Sequence, residues 1–140
     1  MGARRKGREL ALQMLYQWEV SKQRPDEIAR SNERLARSGG PTRHFAVTLF
    51  QSTVRRIEEI DALITAQSAR WRLTRMAAVD RNILRLSVCE FIELSTPKNV
   101  VIDEAVELAK RYSSTEAASF VNGVLDGIFT RLSCAQPCET

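Results

Sequence analysis

One stretch near the middle of the chain, residues 79–94 (VDRNILRLSVCEFIEL), constrains the fold more than any other. No Gly or Pro interrupts it, and apolar residues recur at helical spacing on two opposite sides. One side carries Met76, Val79, Ile83, Leu86 and Leu94, and the other carries Leu84, Val88, Phe91 and Ile92. A helix that is apolar nearly all round is enclosed by several neighbours, whereas a surface helix has a polar back. About sixteen residues with this many charges do not cross a bilayer. The stretch therefore predicts the central helix of a protein core.

Amphipathic patterns of helical period continue on both sides of this stretch. They predict helices over residues 3–22, 26–37, 42–69 (as one helix or two), 101–112 and 113–132. Pro25 is expected to open the second of these helices, and Thr42 to cap the N-terminus of the third. Tyr112 is expected to face inward at the end of the fourth, and a capping box at residues 113–116 to begin the last. Trp71, before the central helix, is expected to cover the core. No segment alternates with period two, as a half-buried strand does. The sequence predicts an all-α domain of six or seven helices over residues 1–132, followed by a disordered tail over 133–140.

Composition limits the classes of function. The chain has 140 residues, a net charge of +4, one His and three Cys. An odd number of cysteines does not form a disulfide framework, and no signal peptide or membrane segment is evident, so we expect a cytoplasmic protein. Cys134 and Cys138 supply at most half a zinc site and are better interpreted as incidental. Phosphate-binding loops, dinucleotide fingerprints and nucleophile elbows are absent from the sequence, which favours a binding protein without cofactor over an enzyme.

The basic N-terminus is the first candidate for binding. Arg4, Arg5, Lys6 and Arg8 place four cations within five residues, a density that attracts phosphates unless the terminus is simply solvated. Tyr16 follows on the same helix, on the face away from the apolar stripe of Leu10, Met14 and Trp18. Cations beside an exposed aromatic ring are typical of proteins that bind single-stranded nucleic acid. The alternative is that Tyr16 packs against a neighbouring helix.

The last helix supplies a second candidate. Phe120 lies beside the apolar stripe rather than on it, near Gly123 and Gly127. Glycines are unfavourable inside helices, so these two indicate close approach of another backbone or a ligand. Glu90, within the central helix, requires a partner if it is buried, and a structural ion pair or a backbone hydrogen bond is the simpler explanation.

Four motifs resemble those of the NusB family of bacterial transcription antitermination factors. They are RELALQMLY (8–16), VDRNILRL (79–86), DEAVELAK (103–110) and FVNGVLD (120–126). The resemblance runs from about residue 4 to residue 132. It implies an all-helical protein, without enzymatic activity, that binds single-stranded boxA RNA together with the ribosomal protein NusE. It also implies assembly with RNA polymerase to promote transcription of ribosomal RNA operons.

The resemblance also assigns residues by position. Those corresponding to RNA-binding positions are Arg4, Arg5, Arg8, Tyr16, Glu116 and Phe120, and those near the NusE position are Asp80, Arg81 and Arg85. The family's basic residue before the Phe is Ser119 in this chain, and its aromatic before the central Glu is Cys89.

Two other functions stay open. A similar domain precedes some ribosomal RNA methyltransferases, but no Gly-rich cofactor domain follows residue 132. A helical protein-interaction module with an incidental basic end is the other alternative. A homodimer formed through apolar helix faces, which would cover the RNA site, is also possible on sequence grounds.

Overall fold

The computed structural model describes residues 2–68 and 73–135, and in them the predicted central helix is confirmed. This helix, α6, spans Ala78–Leu94. Five other helices contact it, and Ile83, Leu84 and Val88 on its two sides are fully buried. It ends at Ser95, whose backbone adopts the left-handed conformation with φ of 55°. The near-continuous apolar surface of α6 is explained by this enclosure.

The N-terminal helix α1, Ala3–Ser21, packs most extensively along α4, Gly40–Arg55. The contact is close because Gly7 lacks a side chain: a Cβ there would lie 2.7 Å from Cδ2 of Phe45. The predicted stripe is confirmed, since Leu10 and Met14 are fully buried and Trp18 is partly buried and packs against the core. These two helices form one side of the core around α6.

Several predicted boundaries between residues 25 and 69 were wrong. The predicted helix 26–37 is two, α2 (Pro25–Ser31) and α3 (Glu33–Ala36), because the side chain of Asn32 caps the second by accepting from the backbone amide of Leu35. Helix α4 begins at Gly40 rather than after a Thr42 cap, and Thr42 is buried within it. Pro41 lies in its first turn, where a missing amide proton costs no hydrogen bond.

The long pattern from residue 42 forms two helices. The chain leaves helical geometry at Arg56, and α5 then spans Ile57–Gln67. A 3₁₀ turn, Leu73–Arg75, leads into α6. The described residues therefore contain eight α-helices, one or two more than predicted. Trp71 lies outside the described residues.

The last two helices, α7 (Lys98–Tyr112) and α8 (Thr115–Ala135), pack against each other and against α6. Ser114, not Ser113, caps α8, and its hydroxyl accepts from the amide of Ala117 at 2.9 Å. Tyr112, the last residue of α7, is exposed, which corrects its predicted inward position.

Helix α8 continues to Ala135, so residues 133–135 are helical where a disordered tail was expected. The rest of that tail, including Cys138, lies outside the described residues. The all-α fold class is confirmed, and no strand occurs in residues 2–68 or 73–135. Within the same residues, no helix combines the length and apolar character needed to cross a membrane.

Candidate nucleic-acid interface

Arg8, predicted as a phosphate ligand, forms a buried ion pair with Glu90. Its Nε and Nη2 atoms donate to the two carboxylate oxygens at 2.8 and 2.5 Å. Arg8 is only 6% exposed and Glu90 only 2%. Two parallel, charge-assisted hydrogen bonds are the geometry that compensates burial of both charges. Glu90 thus has the structural ion pair that its position indicated, and Arg8 anchors α1 to α6 instead of presenting its charge to solvent.

Arg5 also forms an ion pair with a carboxylate, but part of its side chain remains exposed. Its Nε and Nη2 atoms donate to Glu104 on α7 at 3.0 and 2.8 Å, while its side chain remains 42% exposed. Hydrogen bonding and charge from Arg5 outweigh partial burial and hold the pKa of Glu104 below its usual value. Arg4 is exposed, with its guanidinium carbon 5.2 Å from the centre of the Phe45 ring. The N-terminal cations therefore differ in availability, and Arg4 is the most accessible of the three predicted arginines.

Tyr16 is exposed on α1, as its position away from the apolar stripe indicated. Its exposed fraction is 52%, although Leu12 and Leu15 on the same helix are buried. Leu12, which shares the Tyr16 side of the helical wheel, packs inward, so that side of α1 is not exposed along its whole length. Tyr16 thus lies on the surface of the protein, where a ligand can reach it.

Three predicted residues from two helices line one cavity. Asp80 on α6 and Glu116 and Phe120 on α8 enclose it together with Arg75 and Met76. Phe120 is half-buried and packs against the core edge, whereas Glu116 is exposed. The Oδ1 atom of Asp80 is buried and has no hydrogen-bond donor among the described residues. The cavity therefore combines an apolar ring with carboxylate oxygens that can accept hydrogen bonds.

Arg81 and Arg85, predicted near the NusE position, belong to a network inside the chain. Arg81 donates to both carboxylate oxygens of Glu19 at 2.8 and 2.7 Å, and to two backbone carbonyls before α6. Arg85 donates to both oxygens of Asp61 at 2.8 and 2.9 Å and to Glu19 at 2.7 Å. The bond to Arg85 explains why Asp61 on α5 is partly buried. Both arginines therefore hold α1, α5 and the start of α6 together.

The network also positions Tyr16. Glu19 lies about one helical turn beyond Tyr16 on α1, and its bonds to Arg81 hold this end of α1 against the first turns of α6. Asp80 precedes Arg81 in those same turns. Burial raises the pKa of Glu19, but hydrogen bonds and charge from Arg81 and Arg85 more than offset it, so the pKa lies below its usual value. The carboxylate stays ionised, and this fixes the C-terminal end of α1 beside the helix that carries Asp80.

Some features of this surface were not evident from the sequence. Arg75 and Met76 line the cavity although they precede α6, and no motif marks them. Tyr112 adds an exposed ring, with the guanidinium carbon of Arg111 at 5.9 Å from its centre. The feature of the sequence that could have indicated its exposure was the position of Tyr112 at the end of the helical pattern. No group of three metal-ligating side chains occurs in the part of the chain that the structure describes.

Comparison with known proteins gives consistent results. The family model described as "NusB family" matches residues 5–130. The transcription antitermination protein NusB of Koribacter versatilis is 48% identical over 94% of this chain and 91% of its own length. The NusB protein of Solibacter usitatus is 45% identical over 91% and 89%. These relatives are transcription antitermination proteins and not enzymes, in agreement with the interpretation as a binding protein.

Solved structures share the fold. A chain in a crystal structure of antitermination factors NusB and NusE with double-stranded RNA aligns with a TM-score of 0.84 and 33% identity, covering 94% of this chain and 98% of that one. The solution structure of NusB from Aquifex aeolicus aligns with a TM-score of 0.81 and 31% identity, covering 100% and 97%. The family model and the relatives each span most of the chain, and all four motifs noted in the sequence lie within the matched residues. The chain is a member of the NusB family.

Proposed function

We propose that this protein binds single-stranded boxA RNA together with NusE and promotes processive transcription of ribosomal RNA operons. In this role it joins an antitermination complex on RNA polymerase and acts in the bacterial cytoplasm. The solved complex of NusB and NusE with double-stranded RNA supports RNA and NusE as the partners. The observation that carries the proposal is the exposure of Tyr16 on a helix whose neighbouring leucines are buried.

The exposed rings bind bases in this proposal. Tyr16 and Phe120 stack against unpaired bases, since stacking tolerates any base and suits a single strand. Glu116, beside Phe120 in the same cavity, accepts from exocyclic amino groups of a base. Arg4 and the exposed edge of Arg5 neutralise backbone phosphates.

Asp80 is the proposed contact to NusE. One of its oxygens is buried without a donor, and an N–H group of the partner would satisfy it. Arg81 and Arg85 act indirectly, because their guanidinium groups are occupied by Glu19 and Asp61. Arg8 acts in the same indirect way through Glu90. The proposed site thus consists of a binding layer held in place by internal ion pairs.

The test is fluorescence anisotropy of a labelled boxA RNA, titrated with the protein alone and then with NusE present, at two salt concentrations. We expect NusE to tighten binding of boxA relative to a scrambled strand, and higher salt to weaken it. A duplex of the same sequence serves as a further competitor. Equal affinity for boxA and the scrambled strand with NusE present would instead indicate an interaction module without RNA selectivity.

Replacement of the two rings sharpens this test. Tyr16→Ala and Phe120→Ala should each weaken boxA binding by about 1–3 kcal/mol, because each removes one stacked base. Tyr16→Phe, which keeps the ring, is the matched control and should bind like the unsubstituted protein. Normal boxA affinity in both alanine variants, with unchanged circular dichroism spectra, would rule out stacking by these rings.

A further inference from the structure

Three basic side chains from three different helices line a second concavity, on the opposite half of α1 from Tyr16. They are Lys6 of α1, Arg34 of α3 and Arg111 of α7, and the concavity also contains Glu9 and Thr42. Three cations against one carboxylate leave an excess of positive charge at this place. No aromatic side chain lines it, so the lining suits a compact anion better than a nucleobase.

Two of these cations are not neutralised by the chain. Within residues 2–68 and 73–135, the side chains of Lys6 and Arg34 have no ion-pair or hydrogen-bond partner. Arg111 is bonded by Glu9, which leaves the rest of its guanidinium edge for another acceptor. The neighbouring groove along α1 and α7 differs, because there Arg5 and Arg8 are both bonded by carboxylates. The concavity that contains Lys6 and Arg34 therefore offers an anion two cations from different helices that no carboxylate in the described part of the chain neutralises.

The backbone that carries Arg34 is held in place. Leu35, the next residue, is buried, and its amide donates to the Asn32 side chain at 2.8 Å. The Ser38 hydroxyl donates to the carbonyl of Arg34 itself at 2.7 Å. Arg43 on α4 donates to the carbonyl of Ala36 at 3.3 Å. These bonds fix α3 on the core, so Arg34 is directed at the concavity from a defined position.

We propose that Lys6, Arg34 and Arg111 together bind a backbone phosphate of the RNA. This inference rests on the proposed function and extends its binding surface to α3, a helix that no motif in the sequence assigns to RNA. Residue 6 lies about 15 Å from residue 16 along α1, at about 1.5 Å per residue. A strand of a few nucleotides covers that distance, so one RNA can engage the Tyr16 ring and this cradle together.

The experiment measures RNA affinity against salt concentration for Lys6→Gln, Arg34→Gln and the double variant, with NusE present. Loss of one phosphate contact on a single strand should lower the salt slope by about 0.7, which corresponds to about fourfold weaker binding near 0.15 M salt. Because the three cations share one phosphate, the double variant should show this full loss of about fourfold, and each single variant should show a smaller one. Affinity for boxA and for a scrambled strand should fall by the same factor, because a phosphate contact carries no sequence information.

Two controls separate a specific contact from a general loss of charge. Arg30→Gln removes one charge from the neighbouring α2, where Arg30 is exposed and bonded by Asp26, and should leave the salt slope unchanged. Lys6→Arg keeps the charge in the concavity and should retain the affinity. Melting temperatures of the Lys6 and Arg34 variants should match that of the unsubstituted protein, since neither side chain has a partner to lose.

Each remaining outcome is decisive. Selective boxA binding by the unsubstituted protein, with the same salt slope in the double variant, overturns the phosphate cradle and leaves the proposed function standing. Equal losses in Arg30→Gln and Arg34→Gln also overturn it, because the effect is then long-range. Weaker NusE binding by Lys6→Gln or Arg34→Gln without RNA would mean that the concavity binds the protein partner. No RNA binding by the unsubstituted protein overturns both proposals.

Discussion

The interior junction of α1 with α6 differs from the exposed positions Tyr16 and Gly123 in how energetically unfavourable residues are accommodated. At the junction, the buried charges of Arg8 and Glu90 neutralise each other through two short hydrogen bonds. At the surface, Tyr16 is 52% exposed, and Gly123 lies in the middle of α8 although nothing lies within 4 Å of the position that a Cβ would take. At the junction, the unfavourable burial of charge is offset by hydrogen bonds within the chain. No contact within the described residues offsets the exposure of Tyr16 or the low helix propensity of Gly123. Tyr16 and Gly123, whose unfavourable contributions are not offset, are therefore candidates for ligand contact under the proposed function.

The largest expected effect is at the junction. Arg8→Met should lower the free energy of unfolding by about 3–5 kcal/mol, because it leaves the Glu90 carboxylate buried without a partner. Urea denaturation followed by circular dichroism measures the change. The double variant Arg8→Met/Glu90→Leu is the control and should recover most of the loss, since apolar residues of similar volume often replace a buried ion pair without cost. A single variant as stable as the unsubstituted protein would mean that this pair does not anchor α1.

A smaller effect of opposite sign is expected at the surface. Gly123→Ala should raise the free energy of unfolding by about 0.5–1 kcal/mol, because alanine is the better helix former and has open space there. The same variant should weaken RNA or NusE binding if a ligand approaches the helix at this position, one turn from Phe120. Thermal melts and the anisotropy titration measure the two quantities.

Gly127 provides the matched control for Gly123. A Cβ at Gly127 would lie 2.1 Å from the Gln67 side-chain nitrogen, so Gly127→Ala must displace Gln67 and should not gain the same stability. Within the described residues, the group that closely approaches Gly127 is thus the side chain of Gln67 and not the backbone that the sequence predicted, and nothing approaches Gly123. A stabilised Gly123→Ala variant with unchanged affinity for both ligands would remove Gly123 from the binding surface.

The smallest effect concerns acid stability. Arg5 holds the pKa of Glu104 below its usual value near 4.5, and Arg81 and Arg85 do the same for Glu19 despite its partial burial. A carboxyl group whose pKa is lower in the folded state stabilises the fold above its unfolded pKa, and this stabilisation is lost as the pH falls through the folded pKa. We therefore expect stability to decline below about pH 4.5. The decline should be modest, since both carboxylates remain partly exposed and are screened by solvent.

A matched variant tests the assignment to Glu104. Melting temperatures between pH 7 and pH 3 should fall less steeply for Glu104→Gln than for the unsubstituted protein, because the neutral amide has no proton to gain in this range. Glu58→Gln, at an exposed position on α5, is the control and should follow the unsubstituted protein. Identical curves for all three proteins would show that Glu104 makes no contribution to acid stability.

The sequence predicted those features that depend on local spacing. The enclosed helix α6 followed from its two apolar sides, and the exposure of Tyr16 followed from its angle to the buried stripe. Partnerships between distant residues did not follow, because helical period gives the direction of a side chain but not the residue that it meets. Glu90 clearly required a partner, yet its pairing with Arg8 depends on how α1 crosses α6. For the same reason, Arg8 was predicted at the surface together with Arg4.

The sequence also did not predict the helix boundaries near glycine and proline. Thr42 has good N-cap chemistry, but Pro41 also favours the first helical turn, and tertiary packing decides between them. The cavity around Asp80 combines residues of α6, α8 and the turn before α6, which sequence spacing cannot relate. The convergence of Lys6, Arg34 and Arg111 likewise depends on the placement of α3 on the core.

The pairing of Arg8 with Glu90 also has a consequence for folding during synthesis, because its members lie 82 positions apart. Helix α1 leaves the ribosome first, but its main ionic anchor is translated later. At about 5–20 residues per second, the delay is roughly 4–16 s. Throughout that interval, the apolar faces of α1 lack α6, and Arg8 stays hydrated. The first helix to be made is thus joined to α6 only after more than half of the chain has been made, and until then α4 is the helix available to cover its apolar face.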